Sequence, residues 1–372
     1  MKGGGKVDNR VTKLAQVLLK YSLNLKAGDK LLIQGGQATI PLIKEVYREA
    51  VKMGVYPQVD LGIEELTEIM LKHGNDEQIM YIPESAKTAF ETVDAILTIW
   101  GEKNTRMLTN IDASKMKLRS RGRRQLIDIF ERRMASKELK WCGTQFPTQA
   151  DAQEASMSLE EYEDFVYGAG YIDLENPIEK WQEVREQQER ICRILDTKKE
   201  IRIVSKDTDI RMSVEGRKWI NCCGNENFPD GEVFTSPIED SVEGYIRFSF
   251  PGIYAGREIE DIRLKFEKGK VVEATAAKGE ELLLELLDTD EGAKFLGEVA
   301  VGTNYGIKKF TKNMLFDEKI GGTVHLAIGR GFPEAGSKNS SAIHWDMLCD
   351  MRDGGEIYAD GELIYKDGKF II

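Results

Sequence analysis

Only three histidines occur in the chain, His73, His325 and His344, and the last stands in the run SAIHWDMLCD, two residues before Asp346. In a β-strand, residues i and i+2 face the same way, so His344 and Asp346 project together while Ile343, Trp345 and Met347 take the other face. That spacing suits two ligands of one metal ion, and it equally suits an ordinary surface histidine beside an acid. His325 lies on a second strand-like run, GTVHLAIG, between Val324 and Leu326. A half-buried imidazole there needs partners for both nitrogens, which a packed core can also supply. Two acids stand out by context: Glu232, which follows the turn PDGE and opens EVFTSP, and Glu298 in FLGEVAVG. The second is expected on a helix over DEGAKFLGEVA that packs Phe295, Leu296, Val299 and Ala300. An acid surrounded by apolar residues is costly to bury unless a cation, a metal included, is paired with it.

Two histidines and three carboxylates are a suitable set for two divalent ions. Nitrogen and oxygen donors suit Zn, Co or Mn. A bridging carboxylate can hold two ions roughly 3.5 to 4 Å apart, and a shared water becomes a nucleophile near neutral pH. The five cysteines, Cys142, Cys192, Cys222, Cys223 and Cys349, show no CxxC spacing and are expected as free thiols. Cys222 and Cys223 are adjacent, so on a strand they point to opposite faces and make a poor pair for one metal.

The elements that must carry these residues change in texture along the chain. The first half alternates helical and strand-like segments. Val11, Leu14, Ala15 and Leu18 recur at helical spacing after Asp8 or Asn9, and a turn at KAGDK leads to the strand LLIQG. Thr39 then caps a helix with Ile43, Val46, Tyr47 and Ala50 on its apolar face, stopped by Gly54 before VYPQVDLG. Further strands are expected at VDAILTIWG and LKWCGTQFP. This alternation predicts an α/β N-terminal domain with a mostly parallel sheet over residues 1–176. A helix from Pro177 to Leu195, with Ile178, Trp181, Val184, Gln188, Ile191 and Leu195 on one face, is expected within a connector over 177–198. Beyond it, IRIVS, DIRMSV, YIRFSF, RLKFEKGKVVEATA and TVHLAIG alternate in short runs broken by Gly, Asp and Pro. These predict an α+β C-terminal domain over 199–372, rich in antiparallel strands and carrying the metal site.

Bulk properties remove several function classes. A net charge of −11 is the wrong sign for a general nucleic-acid binder. The one basic block, residues 115–137, has a single aromatic, Phe130, and reads as a solvated helix face or an intersubunit surface. Neither GxGxxG after a strand nor GxxxxGK[ST] occurs, so no nucleotide cofactor is expected. No apolar run approaches the roughly 18 residues of a membrane span, and the polar start MKGGGKVDNR shows no secretory signal, which favours the cytoplasm.

At greater length, the strings WINCCGNENFPDGEVFTSPIEDSVEG, EGAKFLGEVAVGTNYGI, LFDEKIGGTVHLAIGRGFPEAG and NSSAIHWDM resemble the aminopeptidase T family, thermophilic metalloaminopeptidases grouped with aminopeptidase S. The similarity extends to LAQVLLKYSLNLKAGDKLLI near the start. It implies a two-domain homodimer whose active sites open into an internal cavity, acting on peptide substrates with a free N-terminus through two divalent metal ions. Carried over motif by motif, it implies Glu232, Glu298, His325, His344 and Asp346 as metal ligands, one carboxylate bridging, with Glu232 the first choice to move the proton to the leaving amine. One position departs from the family. Seven residues after His325, where the family commonly has tyrosine, stands Phe332. A phenyl ring donates no hydrogen bond to a developing oxyanion, and loss of one such donor costs about 100- to 1000-fold in rate. Tyr305 is a second source of that donor. A weak or inactive metal-dependent peptide-binding homologue is therefore the alternative reading, and a dimer with purely structural histidines a third.

Overall fold

A computed structural model describes residues 8–254 and 256–372. The chain forms two compact units, each discontinuous. The first runs to Ile178 and adds Gly224–Pro229, and the second comprises Glu179–Cys223 and Asp230–Ile372. The division falls inside the helix Pro177–Leu195, so nearly all of that helix belongs to the second unit.

In the first unit, Asp8 accepts a hydrogen bond from the Arg10 amide and caps the helix Asn9–Val17, which buries Val11, Leu14, Ala15 and Val17. The helix continues as a π-helical turn, Leu18–Ser22, which buries Leu18. The expected apolar runs become the strands Lys30–Gly36, Tyr56–Gly62, Ala95–Trp100 and Lys140–Gln145. With Asn227–Phe228 they form one parallel sheet in the spatial order Tyr56, Lys30, Ala95, Lys140, Asn227. Leu31, Leu32, Ile33, Ile96 and Leu97 are buried on consecutive positions, as a sheet covered on both faces requires. The helix Ile40–Lys52 buries Leu42, Ile43, Val46 and Ala50, whereas Tyr47, expected on that face, is exposed. Glu45 and Glu49 are buried instead, Glu49 accepting from Gln16 at 3.0 Å. The basic block forms the helix Ala113–Ala135, capped by Asp112, and buries a thin stripe of Gly122, Leu126, Ile129 and Arg133. Among the described residues, no helix is long and apolar enough to cross a membrane.

Besides a two-stranded ladder of Gly252–Tyr254 with Arg257–Ile259, the second unit contains two main antiparallel sheets. The larger has eight strands, from Lys270–Thr275 at one edge through Glu200–Ser205 to Lys369–Phe370 at the other. The smaller positions the candidate site, in the spatial order His344–Asp350, Thr323–Gly329, Leu296–Gly302, Glu232–Thr235 and Ile220–Cys222. One face of this smaller sheet, formed by Val233, Val299, Val301, Val324, Leu326, Ile328, Trp345 and Met347, joins Ile201, Ile203, Ile210, Leu264 and Phe266 of the larger sheet in a single apolar core.

One expected element is different. DEGAKFLGEVA is not a helix: Glu291–Lys294 make one 3-10 turn, after which Leu296–Gly302 is a strand buried along its whole length. A short apolar run of this kind is ambiguous in sequence, and here pairing decides it. Val299 faces Thr235 on one neighbouring strand and Leu326 on the other. The register with the His325 strand shifts between Leu296 and Glu298, where Leu296 pairs with Ile328 and Glu298 with the very next residue, Ala327. This bulge at Gly297 lets Leu296 enter the core while Glu298, two residues later, lies on the opposite face.

Leu326 is fully buried and faces away from the neighbouring His325. Leu326→Ala is expected to lower the unfolding free energy of the second unit by about 2–5 kcal/mol. Urea denaturation followed by tryptophan fluorescence measures this, with binding of divalent metal by the folded variant unchanged.

Candidate metal centre

Strand alternation sends every second side chain of the smaller sheet away from the core, and on that far face the five singled-out residues meet. Pairing sets their spacing across strands: Ala300 opposes His325, Ala327 opposes both Glu298 and Asp346, Gly329 opposes His344, and Gly302 opposes Glu232. Small residues thus stand beside each functional one, which leaves room for the longer side chains to converge. His325 Nε2 lies 3.3 Å from Glu232 Oε2 and 3.5 Å from Glu298 Oε1. His344 Nε2 lies 3.1 Å from Glu298 Oε2 and 3.5 Å from Asp346 Oδ1. The two oxygens of Glu298 therefore serve different imidazoles.

His344 is oriented by a contact of its own. Its Nδ1 lies 2.7 Å from the Arg330 carbonyl oxygen. A carbonyl only accepts, so Nδ1 carries the hydrogen and donates it, leaving Nε2 turned to the acids. The approach of Arg330 depends on Gly297, where a Cβ would lie 2.4 Å from that carbonyl oxygen. Gln188, buried on the Pro177–Leu195 helix, fixes the other side. Its amide NH2 donates to Asn221 Oδ1 at 2.7 Å and to the carbonyls of Cys222 and Glu232 at 2.9 Å each, and its Oε1 accepts from Thr303 at 2.8 Å.

The electrostatics favour added positive charge. Burial alone would lower the His325 pKa, but hydrogen bonding to Glu298 and the charges of Glu232 and Glu298 outweigh it and raise the value to about 9. Burial likewise opposes the charge on His344, and Asp346 and Glu298 overcome it, raising its pKa to about 11. Burial disfavours the Glu298 carboxylate, yet its hydrogen bonds from the two imidazoles hold it below the usual range. Glu232 Oε2, Asp346 Oδ1 and His325 Nδ1 are buried with no hydrogen-bond partner, a costly state for carboxylate oxygens. A divalent cation fits these observations. Donor atoms of Glu232, Glu298 and His325 lie within 4.8 Å of one another, as do those of Glu298, His344 and Asp346. The observed separations of 3.1–3.5 Å match the edge of about 3.3 Å of a tetrahedron with bonds of about 2.05 Å.

The sheet also brings in residues that sequence spacing did not single out. Cys222, paired with Glu232 across two strands, groups with Glu232 and Asp230 within the same 4.8 Å limit. Lys319, fully buried, has its Nζ 3.6 Å from Glu232 Oε1 and also contacts Glu318. A lysine in the run FDEKIGG is the one signal available in sequence, and it does not distinguish a buried cation from a surface one. Phe332 stands against the centre, its ring 5.0 Å from that of His344 at 75° and 5.0 Å from Phe234. Tyr305 does not supply a donor here: its hydroxyl donates to the Gly368 carbonyl at 2.9 Å.

An α/β unit with a parallel sheet, joined to an antiparallel unit that gathers buried nitrogen and oxygen donors on one sheet face, has the make-up of a metal-binding protein. Residues 7–370 match the family described as thermophilic metalloprotease (M29), and the chain belongs to that family. Its membership implies a divalent metal. Aminopeptidase 2 of Geobacillus stearothermophilus is 27% identical, the alignment covering 97% of this chain and 95% of that protein. Aminopeptidase T of Thermus thermophilus is also 27% identical, over 96% of this chain and 95% of its own. The solved structure of wild-type AmpT from Thermus thermophilus shares the fold, with a TM-score of 0.86 over 98% of this chain and 99% of that one at 23% identity.

Gln188→Leu keeps the size of the side chain but strands three acceptors and the Thr303 hydroxyl. A loss of roughly 2–5 kcal/mol is expected, read by denaturant unfolding, with hydrogen exchange rising first at Cys222 and Glu232.

Proposed function

We propose that this chain is an aminopeptidase that binds two divalent ions through Glu232, Glu298, His325, His344 and Asp346 and releases N-terminal residues from peptides. The observation that carries this reading is the division of the Glu298 oxygens between two imidazoles, which suits one carboxylate shared by two ions. A bound pair of Zn, Co or Mn ions supplies Lewis acidity and lowers the pKa of water, making a nucleophile available near neutral pH. The chain's own part is orientation and proton transfer. Glu298 joins the two halves of the donor set, the Arg330 carbonyl fixes the His344 ring, and the packed sheet keeps the acids out of bulk water. Glu232 turns Oε2 toward His325, and burial raises its pKa to about 8, so we assign to its other oxygen, Oε1, the proton that must reach the leaving amine. Substrates are peptides with a free N-terminus, consistent with the names of the two full-length relatives. The resemblance further supports a homodimer in the cytoplasm, open to test by light scattering and cell fractionation.

A second reading, a peptide-binding homologue with weak or no turnover, draws on Phe332, which places a ring without a hydrogen-bond donor against His344. One experiment separates the two. Protein purified without chelators is assayed for metal and for release of nitroaniline from leucyl and arginyl amides with added Co²⁺ or Zn²⁺. Metal-dependent release is the expected result. About two ions per chain with no release from these amides or from short peptides would support the second reading, and no bound metal would overturn both. Glu298→Gln is expected to reduce both metal content and kcat/KM, the latter by more than about 100-fold.

A further inference from the structure

Lys319 is a buried cation that the proposed reaction does not itself require. It is delivered by the short helix Met314–Asp317, whose Asp317 accepts from the Thr311 amide at 2.7 Å and from its hydroxyl at 3.0 Å. The Lys319 backbone is held as well, its amide donating to the Phe316 carbonyl and its carbonyl accepting from Asn304. With no exposed surface and both backbone groups bonded, the side chain has one place to go, between Glu232 and Glu318. Glu232 meanwhile belongs to two donor groups. One, with Glu298 and His325, is part of the proposed dinuclear centre. The other, with Cys222 and Asp230, consists of a thiol and two carboxylates, a donor set that by chemistry alone would accept a thiophilic divalent ion. Lys319 Nζ lies 3.6 Å from Oε1 of Glu232, a member of this second group, and also contacts Glu318. The second group therefore already has a cation beside it.

We infer that Lys319 is the resident cation of the Cys222–Asp230–Glu232 group, a positioning residue that keeps a third metal ion out and reserves Glu232 Oε2 for the dinuclear centre. Its ammonium engages Oε1 while Oε2 faces His325. Lysine is suited to this task because its charge is compact and held on a flexible stem. Without it, the buried carboxylates of Asp230 and Glu232 and the half-buried one of Glu318 would be left near a thiol, and a divalent ion would be the available replacement. This inference rests on the assignment of Glu232 as a ligand in the proposed function, and the test below separates the two.

Each protein is dialysed to equilibrium against Co²⁺, metal is counted by mass spectrometry, and the near-ultraviolet spectrum is searched for thiolate-to-cobalt charge transfer. Wild-type protein is expected to hold about two ions per chain without a thiolate band. Lys319→Met should gain an ion and show the band, Cys222→Ser added to it should remove both, and Lys319→Arg should behave as wild type. A thiolate band in the wild type, or Lys319→Met with neither gain nor band, overturns the inference. Should Lys319→Met fail to fold, Cys222→Ser in the otherwise wild-type chain decides: unchanged metal content supports the inference and lost metal overturns it. A wild type that binds no metal while Lys319→Met acquires the band would refute the proposed dinuclear centre and leave standing only the exclusion of metal from the Cys222–Asp230–Glu232 group by Lys319.

Discussion

Glu298 holds the centre together because its two oxygens face two imidazoles that arrive on separate strands. A carboxylate in this position cannot be left in an apolar sheet without compensation, and the surrounding structure supplies it from every side. The histidines approach with their Nε2 atoms, the Arg330 carbonyl sets the ring of one of them, and Lys319 offsets the neighbouring Glu232. The apolar face beneath, packed against the larger sheet, gives these groups a base that does not yield. Stability and chemistry are thus divided by strand parity: alternate residues of the same strands build the core and the site.

That division explains which parts of the site were legible in the sequence. His344 and Asp346 lie two apart with Trp345 between them, and a period of two needs only the strand to be recognised. His325 between Val324 and Leu326 follows the same rule. The antiparallel texture of the second half and the parallel alternation of the first rest on patterns of the same local kind. Glu298 is expected on a helix but lies on a strand, because Phe295, Leu296, Val299 and Ala300 are compatible with a helix face and only cross-strand pairing decides otherwise. Lys319 and the grouping of Cys222 with Asp230 depend on which strands become neighbours, and adjacency to Cys223 pointed away from Cys222 altogether. Tyr47 shows the same limit in the first unit: helical spacing placed it inward, but the helix turns Glu45 and Glu49 inward instead.

The path of the chain adds a constraint of its own. Between Cys222 and Glu232 it leaves the second unit, contributes Asn227–Phe228 to the parallel sheet of the first, and returns at Asp230. Two members of one donor group are therefore separated in sequence by a segment that folds elsewhere. Their juxtaposition is made within the second unit, by the antiparallel pairing of Ile220–Cys222 with Glu232–Thr235.

The bulge at Gly297 gives the Leu296–Gly302 strand two phases. Before it, an even-numbered residue points into the core; after it, even-numbered residues point to the donors. A strand of this kind tolerates changes of side chain far better than changes of register, since with Gly297 paired in regular alternation Glu298 would take the phase of Leu296 and exchange the working face of the protein for its inside. The same glycine gives the Arg330 carbonyl its approach. A single position without a side chain thereby sets both the count of the strand and the angle of an imidazole on a neighbouring one.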